Sequence, residues 1–236
     1  MAPDDDEHRV LDYRERRSAL PGSILWESSN RVESDVLPDG CMDLVWLDGQ
    51  VIVAGPDTEP FRTAADGQRV VGLRLAPGLM PLITGVPASE LPNQRVPLST
   101  VRSDRPTRIL LQQVDRDPGR MLEAYAQSLT ATADSDDLEL VFATTRLLRT
   151  GQRVSAAAAR LGMPERQLHR RSLHWYGYGP KTLARILRLQ RALVLARAGK
   201  PSADVGAAAG YADQSHLNRE SCAFTGRPFG ALRAAR

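Results

Sequence analysis

The sequence has few cysteines and lacks any long apolar run. Its two cysteines, Cys41 and Cys222, lie far apart and form no CxxC pair, so neither a disulfide framework nor a thiolate zinc site is indicated. No stretch approaches the roughly 18 consecutive apolar residues of a membrane span. The acidic start, Met1–Val10, also lacks the basic and apolar segments of a signal peptide. We therefore expect a cytoplasmic protein that does not associate with a membrane.

Common catalytic motifs are absent as well. The chain contains no GxSxG, HExxH or GxGxxG, and Pro180 stands where a phosphate-binding loop requires glycine before Lys181. Asp39, Cys41 and Asp43 could form a cysteine nucleophile between carboxylates, but acidic neighbours raise the pKa of a thiol, and a turn entering a strand explains these residues better. The histidines show no metal-ligand spacing. We expect no enzyme activity, cofactor or metal.

The charge is divided unevenly along the 236 residues. The net charge is only +3, yet residues 1–135 hold 14 Arg against 21 Asp and Glu, which is −7. Residues 136–236 hold 17 Lys and Arg against 7 Asp and Glu, which is +10. A basic half favours a polyanionic partner, because Lys and Arg that neutralise phosphates release bound counterions. A solvated basic surface would give the same count, so the motifs must decide.

The first half carries strand signals. Met42–Leu47 and Gln50–Ala54 are β-rich runs joined by Asp48-Gly49, a pair that favours a two-residue hairpin turn. Gln68–Leu75 predicts another strand, and Leu79–Thr84 predicts a short helix. Frequent prolines exclude long helices across this region.

The next segment ends the first half. Arg108–Leu129 looks helical with a break at Asp117-Pro118-Gly119, and the polar stretch Thr130–Asp137 predicts a linker. Apolar residues such as Leu110 and Leu122 suit a helix that pairs with a second protomer or packs on the basic half, with core packing in its own domain as the alternative. A homodimer is one expectation from this segment.

Helical periodicity begins at Leu138 and continues to the end of the chain. The predicted helices start near residue 138 and span Val154–Leu161, Pro164–Tyr176, Lys181–Ala198, Val205–Ala209 and Gln214–Thr225. Pro164 suits the first helical position, and Asp213 is placed to cap the last helix.

Two of these segments repeat one plan, a short alanine-rich helix, a turn at glycine and a polar helix. RQLHRRS (Arg166–Ser172) aligns with SHLNRES (Ser215–Ser221) at an offset of 49 residues. Helices joined by a short glycine-containing turn form the helix-turn-helix, whose second helix enters the DNA major groove. An ordinary helical hairpin is the alternative, but the +10 charge favours DNA.

The stretch Val154–Leu193, followed by Gly210–Arg233, resembles the DNA-binding domain of AraC/XylS-type bacterial transcription regulators. The motifs RQLHRR, GPKTLARILRLQRA and GYADQSHLNRE occur in the family's order. Leu37–Gly78 is similar to an uncharacterised N-terminal domain found in one branch of these regulators. The resemblance implies two helix-turn-helix units held by the long Lys181–Ala198 helix, each reading one of two adjacent major-groove segments of double-stranded DNA. It also implies contact with RNA polymerase.

The resemblance further implies which side chains read DNA. Side chains expected at base edges are Arg166, His169 and Arg170 in the first unit, and Gln214, Ser215, Asn218 and Arg219 in the second. Arg suits guanine, and Gln and Asn suit adenine. Side chains expected at phosphates are Arg171, Lys181 and Arg185. Glu165 either favours the helix dipole or accepts from cytosine.

The chain departs from the family at Ser172 and Ser221, where a large aromatic residue usually packs. We expect Leu173, Trp175, Cys222 and Phe224 to fill the space instead. In the N-terminal domain, the resemblance favours sensing of a small-molecule effector or dimerisation. Strand residues that either line a pocket or form the core are Leu44, Trp46, Ile52, Val70 and Leu73.

The expected fold class is α+β, with a mainly β domain at residues 1–130, a linker at 131–137 and an all-α domain with two helix-turn-helix motifs at 138–236. The expected function is a sequence-specific DNA-binding transcriptional regulator. The alternatives are an enzyme or a protein-interaction adaptor whose activity lies in the N-terminal domain.

Overall fold

The computed structural model describes residues 13–234, without the side chains of residues 202, 203, 233 and 234. The Met1–Val10 segment therefore lies outside the described residues. The predicted α+β class is confirmed, because a mainly β region precedes a helical one. None of the helices within residues 13–234 is both long and apolar enough to cross a membrane.

The N-terminal half is built on a six-stranded antiparallel sheet with strand order β1-β2-β7-β4-β5-β8 and a separate two-stranded ribbon, β3-β6. The strands are β1 (Tyr13–Arg17), β2 (Ile24–Ser28), β3 (Asp35–Val36), β4 (Met42–Leu47), β5 (Gln50–Ala54), β6 (Phe61–Arg62), β7 (Val70–Leu75) and β8 (Arg95–Pro97). The predicted hairpin is confirmed, since Leu47 pairs with Gln50 across Asp48 and Gly49. Both turn residues have positive φ, 47° and 75°, which is the conformation that this turn requires.

The helices follow the sequence pattern closely. They are α1 (Leu79–Thr84), α2 (Leu98–Val101), α3 (Arg105–Gln113), α4 (Pro118–Thr130), α5 (Ser135–Arg149), α6 (Val154–Arg160), α7 (Glu165–Tyr176), α8 (Pro180–Arg197), α9 (Ser202–Ala209), α10 (Gln214–Thr225) and α11 (Phe229–Ala234). Two 3-10 turns cover Ala88–Glu90 and Val114–Arg116. Helix α5 begins inside the predicted linker, because the Asp134 side chain accepts from the backbone N–H groups of Asp136 and Asp137 and caps it.

The sheet has two different faces because successive side chains alternate. One face, which includes Leu44, Val53 and Leu73, is fully buried against helices α1 to α4. The other face, which includes Asp43, Ile52 and Arg74, lines a cavity. The core of the N-terminal half therefore lies on only one side of its sheet.

The helix predicted to pair protomers is instead part of this core. Leu110 on α3 and Leu122 on α4 are almost fully buried in the same cluster as the sheet. The prediction that these two residues form a dimerisation surface is therefore wrong. They instead pack in the core of their own domain, which was the alternative. The sequence alone does not distinguish the two roles, because a helix packed in a domain core and a helix at a protomer interface both need an apolar stripe along one side.

The two halves pack closely, and glycines allow their backbones to approach. A Cβ on Gly78, just before α1, would lie 2.7 Å from a ring carbon of Tyr176 on α7. A Cβ on Gly177, just after α7, would lie 2.6 Å from Pro56 Cγ. The helical half has its own buried cluster, the second core, to which Val141 and Tyr176 belong. The Tyr176 hydroxyl donates to Val141 O at 3.1 Å within it. Larger side chains at either glycine would force the halves apart.

The segment 35–40, which consists of β3 and the four residues after it, also touches the helical half. Gln190 on α8 donates to Pro38 O at 2.7 Å, and Arg227 pairs with Asp35 at 2.7 Å. A Cβ on Gly40 would lie 3.1 Å from Leu183, which is fully buried on α8. We name residues 35–40 the docking loop, because they join the N-terminal half to α8.

A buried carboxylate fastens α10 to α8. Glu220 has a side chain only 3% exposed and accepts hydrogen bonds from Arg185 Nε at 2.9 Å, Arg188 Nη2 at 2.7 Å and the Tyr211 hydroxyl at 2.9 Å. Burial opposes ionisation of Glu220, but the bonds from Arg188, Arg185 and Tyr211 outweigh it and lower its pKa below the ordinary value. The second predicted recognition helix is therefore held by charge as well as by apolar contacts.

We predict that Glu220→Gln lowers the free energy of unfolding by about 2 kcal/mol, less than for a fully buried pair because both arginines are partly exposed. The lowered pKa of Glu220 means that its charge stabilises the fold above the unfolded-state pKa, and that this contribution disappears as pH falls through the folded-state pKa. The difference between wild type and variant should therefore shrink in acid. Urea unfolding followed by far-ultraviolet circular dichroism measures it.

The matched control for this prediction is Glu139→Gln, because Glu139 is exposed on α5 in the same half of the chain. It should change stability by less than about 0.5 kcal/mol. Equal losses for the two variants at neutral pH would contradict the role given to Glu220.

Candidate DNA-binding interface and ligand cavity

The first helix-turn-helix unit consists of α6, a turn and α7. Gly162 in the turn has φ 67°, a left-handed conformation that favours glycine. Pro164 is the residue before the helix and not its first residue as predicted, because its ψ of 149° is extended. Leu168 is fully buried and anchors α7 below the turn. This anchoring leaves the opposite face of α7 open.

The base-reading side chains predicted on α7 lie on that open face. Arg166, His169 and Arg170 are all exposed, and their spacing of three and four residues places them on one side of the helix. A Cβ on Gly179 would lie 2.8 Å from His169 Cε1, so the imidazole rests against the start of α8. The two arginines flank this imidazole.

The second unit consists of α9, a turn at Gly210 and α10. The Asp213 side chain accepts from the His216 N–H at 2.6 Å, which confirms the predicted cap. Gln214, Ser215 and Arg219 are exposed. These three polar side chains lie on the first two turns of α10, the part of a recognition helix that reaches base edges.

Asn218 differs from its predicted partners because it has an intramolecular role. It is half-buried, and its Oδ1 accepts from the Phe229 N–H at 3.1 Å, at the start of α11. Pairing with adenine N6 and N7 needs both the oxygen and the nitrogen of the amide. The contact with Phe229 therefore competes with the adenine contact that the resemblance implies.

The predicted phosphate-binding residues fall into two kinds. Lys181 is exposed at the start of α8. Arg171 pairs with Asp137 at 3.1 Å and lies over the Trp175 ring. Arg185 pairs with Glu220 and lies over the Phe224 ring. The two arginines thus hold helices together, whereas Lys181 extends into solvent.

The space left by Ser172 and Ser221 is filled only partly as predicted. Both serines are fully buried, and Ser221 Oγ donates to Arg227 O at 2.8 Å. Trp175 and Phe224 are buried as expected. The prediction was wrong for Leu173 and Cys222, which are exposed because they lie on the outer faces of α7 and α10. Leu173 and Cys222 directly follow the two serines in sequence, but on a helix the next residue points in a different direction and does not fill the space beside the serine.

A cavity of about 390 Å³ lies on the open face of the N-terminal sheet. Of the strand residues considered as pocket lining, Ile52 and Val70 line it. Leu44, Trp46 and Leu73 do not, because they lie on the opposite face, in or against the helix-covered core. That expectation combined residues from both faces of the sheet, because a shift of one residue along a strand moves a side chain to the opposite face.

Aromatic residues that the sequence did not single out form one wall of the cavity. Tyr13 and Trp26 stack with ring centroids 6.2 Å apart. Trp26 lies across β7 at Gly72, where a Cβ would come within 2.1 Å of the indole. The Trp26 Nε1–H donates to Asp43 Oδ2 at 2.7 Å. Gly72 in the interior of β7 was the available signal of this close approach.

The floor of the cavity is charged. Arg74 lies 3.1 Å from Asp39 and 3.9 Å from Asp43. Burial raises the pKa of Asp43 to about 6, although Arg74 opposes the shift. Burial and Asp39 also raise the pKa of the Cys41 thiol well above its ordinary value. Cys41 is therefore protonated at neutral pH, which makes it a poor nucleophile. No group of three His, Cys, Asp or Glu side chains in the described part of the chain could hold a metal ion.

Comparisons with known protein families agree with the division into an N-terminal half and a helix-turn-helix half. Residues 157–235 match a helix-turn-helix domain family, and residues 23–97 match a domain family of unknown function, DUF6597. No curated protein matches the chain in sequence.

Solved structures with a similar fold include ToxT from Vibrio cholerae O395, with a TM-score of 0.50 at 9% identity over 94% of this chain and 97% of that chain. ToxT bound to (E)-4-(8-methylnaphthalen-1-yl)but-3-enoic acid also gives 0.50, at 10% identity over 94% of this chain and 98% of that chain. At such low sequence identity, the structural similarity establishes a common fold and nothing further. Together with the family match, it confirms the resemblance stated from the motifs. The chain carries an AraC-type helix-turn-helix domain preceded by a DUF6597 domain.

Proposed function

We propose that this protein is a sequence-specific DNA-binding transcriptional regulator that acts in the bacterial cytoplasm, with RNA polymerase as a further partner. The observation that carries the proposal is the pair of helices α7 and α10. Each follows a short alanine-rich helix and a turn, and each exposes polar side chains on one face within the basic half. The acidic half is unsuited to phosphate contact, because its −7 charge repels the backbone of DNA.

The side chains divide by chemistry into base readers and phosphate binders. Arg170 on α7 and Arg219 on α10 can each donate two hydrogen bonds to guanine O6 and N7. Arg166, His169, Gln214 and Ser215 add further polar contacts. Lys181 supplies a point charge at a phosphate, which positions the protein without reading sequence.

Control by the N-terminal domain is part of the proposal. The docking loop contacts α8 through Pro38 and Gly40, and its Val36, Leu37 and Asp39 also line the cavity. A small molecule in the cavity would therefore touch the same segment that touches the DNA-binding half. That a ToxT structure with this fold binds a small organic acid supports control by an effector.

The competing functions have weaker support. An enzyme centred on Cys41 would need a thiolate, whereas burial keeps this thiol protonated. An adaptor would need a docking face in the N-terminal half, and the apolar side chains of Leu110 and Leu122 cannot supply one because they are buried in the core. The homodimer remains a hypothesis without the surface first assigned to it.

We predict that Arg170→Ala or Arg219→Ala weakens binding to a selected cognate duplex by about 1–3 kcal/mol and relaxes preference at particular base pairs. Lys181→Ala should weaken cognate and random duplexes similarly and lower the salt slope by about 1. Selection from a random duplex library with the full-length protein supplies the site, and fluorescence anisotropy at several salt concentrations measures affinity.

Arg105→Ala is the control for these variants, because Arg105 is an exposed arginine in the acidic half. It should leave both affinities unchanged. If the three interface variants Arg170→Ala, Arg219→Ala and Lys181→Ala all bind as the wild type does, the proposed interface is wrong. If Arg170→Ala and Arg219→Ala lose equally on cognate and random DNA, the base-reading roles are wrong.

We also predict that residues 131–236 alone bind duplex DNA, with an affinity that falls steeply as salt rises. The fragment begins at 131 so that it keeps Asp134, which caps α5. Residues 1–130 should not bind under the same conditions. Circular dichroism establishes that the helical fragment is folded, and a folded fragment that fails to bind in low salt would contradict the proposal.

A further inference from the structure

The cavity on the open face of the sheet has the size and lining of a small-molecule site. Its volume of about 390 Å³ falls within the usual range for ligand pockets, about 300–1,000 Å³. Three of the large hydrophobic side chains exposed within the described residues line it, namely Tyr13 at 40%, Val36 at 38% and Phe61 at 41%. Exposed apolar side chains gathered in one concavity indicate a surface that a ligand covers.

The charges around this cavity select the type of ligand. Four carboxylates line it, those of Asp39, Asp43, Asp57 and Asp66, against the two guanidinium groups of Arg74 and Arg95. The lining therefore has an excess of negative charge.

Both guanidinium groups already have acidic partners. Arg95 binds Asp57 through two hydrogen bonds of 2.6 Å and covers the Phe61 ring at 4.0 Å. Arg74 lies between Asp39 and Asp43. An anionic ligand would have to break one of these pairs to find a cation.

The two carboxylates of the floor have only one cation between them, although each also accepts one N–H hydrogen bond, Asp39 from Cys41 and Asp43 from Trp26. Asp39 and Asp43 share the single guanidinium of Arg74, whose Nε lies 3.1 Å from one and 3.9 Å from the other. The stacked rings of Tyr13 and Trp26 border the same floor. Aromatic rings beside a carboxylate are a favourable setting for an organic cation.

We propose that the cavity binds an organic cation, a ligand with an aromatic or branched apolar body and an ammonium group that pairs with Asp39 and Asp43. This inference rests on the proposed function, for which it names the class of effector. The apolar body lies against Val36, Ile52 and Phe61. The ammonium group supplies the positive charge that one shared guanidinium leaves lacking.

The site is placed to influence DNA binding through the docking loop. Asp39 lies between Pro38 and Gly40, which contact Gln190 and Leu183 of α8. The buried Tyr178 hydroxyl, also from the helical half, lies beside Gly40 and has no hydrogen-bond partner within the described structure. A ligand that competes with Arg74 for Asp39 changes the segment on which α8 rests.

The test uses three probes of one shape, phenylpropylamine, phenylpropanol and phenylpropanoate, with the full-length protein and isothermal titration calorimetry at neutral pH. The amine should bind at least about tenfold more tightly than the carboxylate, because only the amine complements the excess negative charge. The alcohol should lie between them. DNA affinity measured with and without the amine reports coupling.

Asp43→Asn and, independently, Asp39→Asn should each weaken binding of the amine by about tenfold and leave the alcohol unchanged. Asparagine keeps an acceptor oxygen for the Trp26 N–H in the first case and for the Cys41 N–H in the second. Each variant removes the negative charge next to Arg74. Asp48→Asn is the matched control, since Asp48 is exposed at the hairpin turn. It should bind all three probes as the wild type does.

Three results would overturn the inference. Equal or tighter binding of the carboxylate would exclude an organic cation as the preferred class. Binding of none of the probes up to millimolar concentration would exclude the cavity as this kind of site. Amine binding that is unchanged in both variants would place the ligand elsewhere. DNA binding by the protein without any probe tests the proposed function separately.

Discussion

The packing of α8 is the constraint on which the rest of the structure depends. Its buried residues Leu183, Ile186 and Leu187 belong to the second core, and Leu183 also meets the docking loop. Its arginines hold Glu220 of α10. One helix therefore positions both recognition helices and the N-terminal half, and a displacement along it would be felt at all three. This arrangement is the physical link that the proposed control of DNA binding by the cavity requires.

Most of the helical half could be predicted from sequence because its signals are local. Apolar periodicity, Asp213 as a cap and glycines after helices predict α6, α7, α8 and α10 to within one residue, whereas α5 and α9 each begin three residues earlier than predicted. The hairpin at Asp48-Gly49 is equally local. The exposed positions of six predicted base readers also follow from periodicity, namely Arg166, His169, Arg170, Gln214, Ser215 and Arg219, and their contacts with DNA stay a prediction.

What could not be predicted depends on contacts between residues distant in sequence. Leu44 and Asp43 are neighbours, yet one joins the core and the other lines the cavity, because the helices α1 to α4 cover only one face of the sheet. Leu110 suits either a protomer interface or a core until its neighbours are known. Asn218 is a plausible adenine reader until Phe229 is found beside it. In each case the residue type permits two roles and tertiary packing selects one.

Trp26 lies flat across the sheet because Gly72 has no side chain beneath it. The shape of the cavity therefore depends partly on the absence of a Cβ atom at Gly72. Alanine at this position would push the indole outward into the space where a ligand would lie. Related regulators could therefore change the size of molecule they accept by exchanging one small residue in β7, while every group that contacts the ligand stays the same.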